Sequence, residues 1–474
     1  MESQQKPNSE GLSRSLNNRH IQFLALGGVI GVGLFYGVSQ AIQVAGPGVI
    51  IAYILAGIVV AIVMRALGEL TVEKPVAGSF SRYANDFFGP RMGFVTGGMW
   101  WFFWVATVMS ELAAIGKLVQ FWYPAFPVWV PGLISLVLFT VSNLLVVKLF
   151  GELEFVFAIL KVLAIIVFMV FGALMVLTGV FNHGDVVGLT NLWSHHGFLP
   201  YGWIGVIQAV SLVIQAYSGV ETLAVEAGES GDPTASMPKA FRSITFRVSF
   251  FYIGSILIML CAYPWINLAH ASGSPYVLLF KQVGIPAAAT IVNLIIIFAG
   301  LSSCNTGVYG GSRVLFSMSH DKMMPDGFKK LNKNQVPYIA IIITAVAISI
   351  GTIITYFAPD YVYIWITSAS AFASIFTWFV ILVLEITFRF RTSKSGEGLQ
   401  YPMPFWPILP IIGLIMLVLA FAAIVYSPLT RISVLSGIVW LALLLVYYQL
   451  VVAPKYKKLN FKGEKSLEEE GFDM

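Results

Sequence analysis

Residues 27 to 35 read Gly27-Gly28-Val29-Ile30-Gly31-Val32-Gly33-Leu34-Phe35, placing four glycines within seven positions of an otherwise apolar run. Glycine lets a helix unwind, which bares carbonyls on one side of the break and amide N–H groups on the other. A zwitterion fits such a break, with its carboxylate at the amides and its ammonium at the carbonyls. The same glycines would equally serve close helix packing. Further along, Gln215-Ala216-Tyr217-Ser218-Gly219-Val220-Glu221 again sets a glycine and polar neighbours deep in an apolar run. Two interrupted helices five spans apart suggest an inverted repeat, because an odd number of crossings makes the second half enter from the opposite side.

The rest of the chain supplies the setting for these breaks. It has 474 residues, 58% of them hydrophobic and 11% charged, against roughly 45–50% and about 25% in soluble domains. Apolar runs of about 20 residues match the thickness of a bilayer. Twelve spans are predicted: Ile21 to Val44, Gly48 to Leu70, Gly93 to Phe121, Val128 to Val147, Phe155 to Val180, Gly202 to Ala227, Ile244 to Ile266, Ala287 to Met318, Tyr338 to Phe357, Val362 to Arg389, Phe405 to Tyr426 and Ile432 to Val452. Unpaired backbone groups are not tolerated in lipid, and continuous runs of this length exclude the alternating pattern of a barrel. The fold class is therefore an all-α integral membrane protein, with a five-plus-five inverted repeat, broken helices 1 and 6, and two additional helices, 11 and 12. A tail at 1–19 precedes a transporter domain at 20–454, and a second tail fills 455–474. The first repeat covers about 20–181, the second about 200–391, and the last two helices about 405–453.

Basic residues set the orientation. Arg14 and Arg19 precede the first span, and loops after even-numbered spans carry Arg82, Arg91, Lys148, Lys239, Arg242, Lys329, Lys330, Lys333 and Arg391. Only Lys117, Lys281 and Arg431 lie near the other side. The positive-inside rule then puts both termini in the cytoplasm of a cell with the protein in its plasma membrane. No cleaved signal peptide is expected, since no small-residue cleavage site follows a short apolar core.

Ionisable residues inside a membrane are costly and so are functional candidates. Glu221 directly follows the second break, where it either binds a proton or caps the unwound segment. Glu111 in the third span lies below Trp100, Trp101 and Trp104, and either faces the substrate path or packs as a neutral carboxyl. Lys161 in the fifth span either snorkels or acts as a proton-linked switch. Arg65 reads as a snorkelling anchor. In the eighth span Ser302, Ser303, Asn305 and Thr306 either line a cavity, bind a cation or bond between helices.

The net charge of +5 is scattered among short loops, so the footprint of a nucleic-acid binder is missing. Neither the six histidines nor Cys261 and Cys304 have metal-ligand or disulfide spacing. There is no nucleophile elbow and no P-loop, which argues against an enzyme or an ATP-driven pump. No cofactor or metal is expected; the partners are a small-molecule substrate and membrane lipid.

Several stretches carry a resemblance: Leu16-Asn17-Asn18-Arg19-His20-Ile21, Gly27 to Phe35, Met64-Arg65-Ala66-Leu67-Gly68-Glu69-Leu70, Gly78-Ser79-Phe80, Phe150-Gly151-Glu152-Leu153-Glu154-Phe155, Gly219-Val220-Glu221 and Pro238-Lys239-Ala240. In this order the chain resembles the bacterial amino-acid permeases of the amino acid–polyamine–organocation superfamily, in the branch of aromatic, proline, asparagine and aminobutyrate permeases. The resemblance implies alternating access and a site at the two breaks. It assigns the substrate carboxylate to amides at Val32, Gly33 and Leu34, and the ammonium to carbonyls of Val29, Gln215 and Ser218. Ile30, Gly31, Tyr217, Gly219 and Val220 complete the substrate-binding segments. Lys161 matches the helix-5 lysine of proton-coupled relatives, whose ammonium takes the place of a sodium ion, so sodium coupling is disfavoured. Glu111 matches an acidic position of this branch and is expected at the substrate or the proton. One departure is visible: the branch has Gly-Thr-Gly-Leu-Phe where this chain has Gly31-Val32-Gly33-Leu34-Phe35, which removes a hydroxyl ligand. The expectation is an importer of a neutral amino acid by proton symport, with Lys161, Glu221 and Glu111 coupling the proton. An exchanger and a non-transporting sensor are the alternatives.

Overall fold

The computed structural model describes residues 29–456, apart from 77, 146, 181–183, 227–232, 271–272, 283–285, 360–361, 393–397 and 428–429. Gly27, Gly28 and the N-terminal tail therefore lie outside the described residues, as does all but the start of the C-terminal tail. The described residues with regular structure are all helical. The first half contains α1 (Val32–Phe35), α2 (Val38–Ala45), α3 (Val49–Glu73), α4 (Ser79–Phe88), α5 (Pro90–Val119), α6 (Trp129–Leu145) and α7 (Val147–Thr178). The second half has α8 (Gly202–Tyr217), α9 (Thr222–Glu226), α10 (Pro233–Ala262), α11 (Trp265–Ala269), α12 (Pro275–Gln282), α13 (Pro286–His320), α14 (Tyr338–Phe357) and α15 (Val362–Thr392). The last two are α16 (Ile408–Tyr426) and α17 (Arg431–Tyr447).

Among the described residues, ten stretches are long and apolar enough to cross a bilayer. One of these, Val38–Glu73, holds the last part of the first span and the whole of the second, folded about the corner Gly46–Gly48, where Gly46 takes a φ of 58° that suits glycine. Trp129–Leu145 is a shorter apolar helix of 17 residues, about 25 Å long at 1.5 Å per residue. Counting the corner as two spans and adding this helix recovers the twelve expected crossings. In the expected fourth and fifth spans, α6 ends at Leu145 and α7 begins at Val147.

Burial sorts the helices into centre and rim. The most apolar window of α5 is 78% enclosed, while that of Val434–Tyr456 is 17% enclosed, so the third span runs through the centre and the twelfth faces lipid. Packing at the centre rests on small residues. A Cβ at Gly307 would stand 2.4 Å from Val108, and one at Gly310 3.3 Å from the Trp104 indole nitrogen. Spaced as successive helix neighbours, Gly307, Gly310 and Gly311 form a groove in α13 that receives the tryptophans of α5.

Gly116 shows how tight the fit is at the far end of α5, where a Cβ would lie 2.0 Å from the Val128 carbonyl oxygen. Backbone cannot swing aside like a flexible side chain. Gly116→Ala is therefore expected to cost about 1–3 kcal/mol through forced displacement of the turn before α6. Thermal unfolding in detergent checks this, with Gly311→Ala as the mild control, because its Cβ would find its nearest neighbour at 3.5 Å.

Arg65 differs from its snorkelling expectation. Its Nη2 donates to the Pro402 carbonyl at 2.5 Å, and its guanidinium lies 3.4 Å from the Tyr401 ring centroid. Nearby, Glu69 accepts the Met403 amide and lies 3.6 Å from Arg389 Nε. These ties fasten the 401–403 segment to the ends of α3 and α15. Sequence spacing across more than 300 residues gives no sign of them.

Candidate functional site

Both predicted breaks are present. Gly31 is extended, with φ −110° and ψ −162°, and it caps the single turn α1. Tyr36 and Gly37 interrupt the helix a second time before α2. In the other half, α8 stops at Tyr217, Ser218 is extended, and Gly219 has a φ of 101°, a left-handed geometry that suits glycine. The chain resumes as α9 at Thr222.

The two breaks flank a buried cavity of about 30 Å³, walled by Val29, Val32, Gly33, Gln40, Thr107, Glu111, Gln215, Ser218, Ser303, Tyr363 and their neighbours. That is room for only a water or two. Of the residues singled out from sequence, Val29, Val32, Gly33, Glu111, Gln215 and Ser218 meet at this wall. Ile30, Gly31, Leu34, Tyr217, Gly219 and Val220 lie outside it. Tyr217 turns the other way, packing against Tyr53 and Tyr252 with its hydroxyl on the Tyr53 carbonyl at 3.2 Å.

Glu111 reaches the first break directly. Its Oε2 accepts the Val32 amide at 3.0 Å. Its Oε1 lies where a Cβ of Gly31 would be, only 2.2 Å away, so the bare Cα of Gly31 is what admits the carboxylate. The Tyr252 hydroxyl lies 3.0 Å from the Val29 carbonyl and 2.9 Å from the Ala216 carbonyl, and its one proton is shared between these two acceptors. One hydroxyl thus bridges the two breaks, holding both unwound segments in register. Tyr252 sits between Phe251 and Ile253 in an apolar run, so sequence reasoning passed over it as lining for lipid or core.

Lys161 is buried rather than snorkelling. Its Nζ donates to Ser302 Oγ at 2.6 Å and lies 4.0 Å from Glu154 Oε1, with Ser302 also bonded to that same carboxylate oxygen. The polar cluster of the eighth span therefore serves the fifth. Asn305 continues it, its Oδ1 accepting from Asn143 Nδ2 at 3.0 Å. Glu154 was visible in sequence only within a motif. Its partner seven residues along one helix, two turns away, was the available signal.

Glu221 is held by donors alone. Trp100 Nε1 lies 3.1 Å from Oε1, while Trp378 Nε1 at 3.2 Å and the Gly219 amide at 3.1 Å reach Oε2. Three N–H groups hold the carboxyl and, through it, fasten the second break. Glu221→Gln is expected to cost about 1–3 kcal/mol, since an amide turned either way points its own N–H at one of these donors. If Glu221 instead carries the coupled proton, the variant should keep its stability and lose proton-driven accumulation. Thermal unfolding together with uptake by the variant separates the two roles.

Known proteins are similar in sequence to nearly the whole chain. The profile of the amino acid permease family matches residues 20–465. The chain belongs to the amino acid permease family. This permease is 43% identical over 440 residues to the uncharacterized amino acid permease YtnA of Bacillus subtilis, covering 92% of this chain and 95% of that one. It is 38% identical to a probable threonine/serine transporter, YbxG, of the same organism, over 96% of this chain and 99% of the relative. The aromatic amino acid transport protein AroP of Escherichia coli is 37% identical, over 94% and 97% of the two chains. The permease is thus a multi-pass membrane transporter of amino acids and not an enzyme.

Proposed function

We propose that this permease imports a neutral amino acid together with a proton, by alternating access about the cavity between the two breaks. One observation carries the reading: the Glu111 carboxylate occupies the Val32 amide, the group to which the family resemblance assigns the substrate carboxylate. One N–H does not serve two anions. An incoming carboxylate takes the Val32 amide only when Glu111 leaves it, and protonation removes both the charge and most of the acceptor strength that hold Glu111 there. Substrate and proton therefore enter as a pair.

Lys161 supports the choice of ion. Its ammonium already fills a buried position among Ser302 and Glu154, which leaves no call for sodium there. The excess of basic residues in the loops after even-numbered spans supports cytoplasmic termini; an inward proton gradient drives the coupled proton inward, and each charge crossing is worth about 2.3 kcal/mol per 100 mV. The relatives named for threonine/serine and for aromatic substrates are 38% and 37% identical. Overall likeness is level between them, and the walls of the cavity decide the side chain.

The test is uptake by purified protein in liposomes. An inward proton gradient should accelerate uptake and drive accumulation, and a sodium gradient should do neither. Uptake that ignores the proton gradient but requires amino acid preloaded inside would mean an exchanger. Binding without flux would mean a sensor.

A further inference from the structure

One part of the cavity wall is not used by the carboxylate, the ammonium or the proton. Thr107 lies four residues before Glu111 on α5, hence on the same helix face one turn away. Its Oγ1 is 2.6 Å from Ser370 Oγ on α15, and Gln215 Nε2 on α8 reaches Ser370 Oγ at 3.1 Å and Thr107 Oγ1 at 3.5 Å. All three are buried, and Thr107 and Gln215 face the cavity. The Gln215 amide spends its nitrogen on the two hydroxyls, leaving its oxygen without a protein partner among the described residues. Turned the other way, it would leave the nitrogen so. Either way, a buried polar group is left facing the cavity for a ligand to satisfy.

The distances limit that ligand. One helical turn is about 5.4 Å, so a group held near Glu111 by its carboxylate reaches Thr107 with a side chain of one or two heavy atoms plus a hydrogen bond. A cavity of about 30 Å³ must widen to admit any amino acid, so its selectivity is read from the polar groups of its wall and their reach. We infer that Thr107, Gln215 and Ser370 form the side-chain subsite of this permease and select a small amino acid bearing a hydroxyl, serine or threonine. The inference rests on the carrier reading and on the carboxylate position given above.

Threonine and valine have nearly the same shape and differ by the hydroxyl, so they make the decisive pair. A rigid site built to bond a hydroxyl rejects its absence by up to about 10⁵-fold. Here Thr107, Ser370 and Gln215 can bond to one another when the ligand hydroxyl is missing, so the expected preference is on the order of 10–100-fold. In liposomes with an inward proton gradient, separately labelled serine, threonine, alanine, valine and phenylalanine are compared by kcat/KM. Serine or threonine should exceed alanine and valine by that factor, and phenylalanine should not enter. Gln215→Leu and Ser370→Ala should bring the threonine-to-valine ratio towards one. If valine or phenylalanine matches threonine in the unaltered protein, the subsite assignment fails and the carrier reading stands. If none of a full panel of amino acids enters, the carrier reading itself fails.

Discussion

Glu111→Gln is expected to abolish the pH dependence of substrate binding and to reduce proton-driven accumulation by about tenfold or more, while exchange across the membrane continues. In the unaltered protein, bound substrate requires that Glu111 release the Val32 amide, and release is favoured by protonation. Linkage then fixes the sign: substrate binds more tightly as pH falls and more weakly as it rises, by up to about tenfold per pH unit for one coupled proton. By reciprocity, substrate raises proton affinity by the same factor. Glutamine keeps the size and an acceptor oxygen but carries no charge and takes up no proton. Its affinity should therefore be level across the pH range. The check is a binding titration at several pH values by thermal shift or scintillation proximity, paired with liposome uptake. A slope retained in the variant would move the coupling elsewhere.

Lys161→Ala carries the second large effect, on stability. The Lys161 and Glu154 side chains are 1% and 0% exposed and 4.0 Å apart, so neither has solvent to fall back on. Removing the ammonium leaves a buried carboxylate with Ser302 and other neutral neighbours. Losing one member of a buried pair costs about 3–5 kcal/mol, mostly the penalty of the charge left behind. The apparent melting temperature should drop sharply. Adding Glu154→Gln to the same chain should restore much of the loss, because it removes the stranded charge. A double variant that is instead weaker by the sum of two single losses would show that the two side chains do not act as a pair.

The breaks were legible because their cause is local. Glycines at 31, 33 and 219 weaken a helix wherever it lies, and hydrophobic run lengths report the bilayer directly. The residues facing the cavity were only half legible. Tyr217 was grouped with the second break by its position in the chain, yet one residue of helical rotation turns its ring to Tyr53. Thr107, Ser370 and Tyr252 gave no signal, since a lone hydroxyl in an apolar helix reads the same whether it bonds to its own backbone or to a neighbouring helix.

The amino-acid order alone determined the membrane class, the twelve crossings, the two interruptions five spans apart, and Glu111, Lys161 and Glu221 as ionisable residues within the spans. These follow from composition, periodicity and glycine content, which act over a few turns of chain. Only the tertiary structure decided that Glu111 holds the Val32 amide, that Tyr252 bridges both breaks, that Lys161 pairs with Glu154 through Ser302, and that Thr107, Gln215 and Ser370 converge. Each of those contacts depends on the rotation of one helix against another, and helix rotation is set by close packing of side chains from the whole bundle.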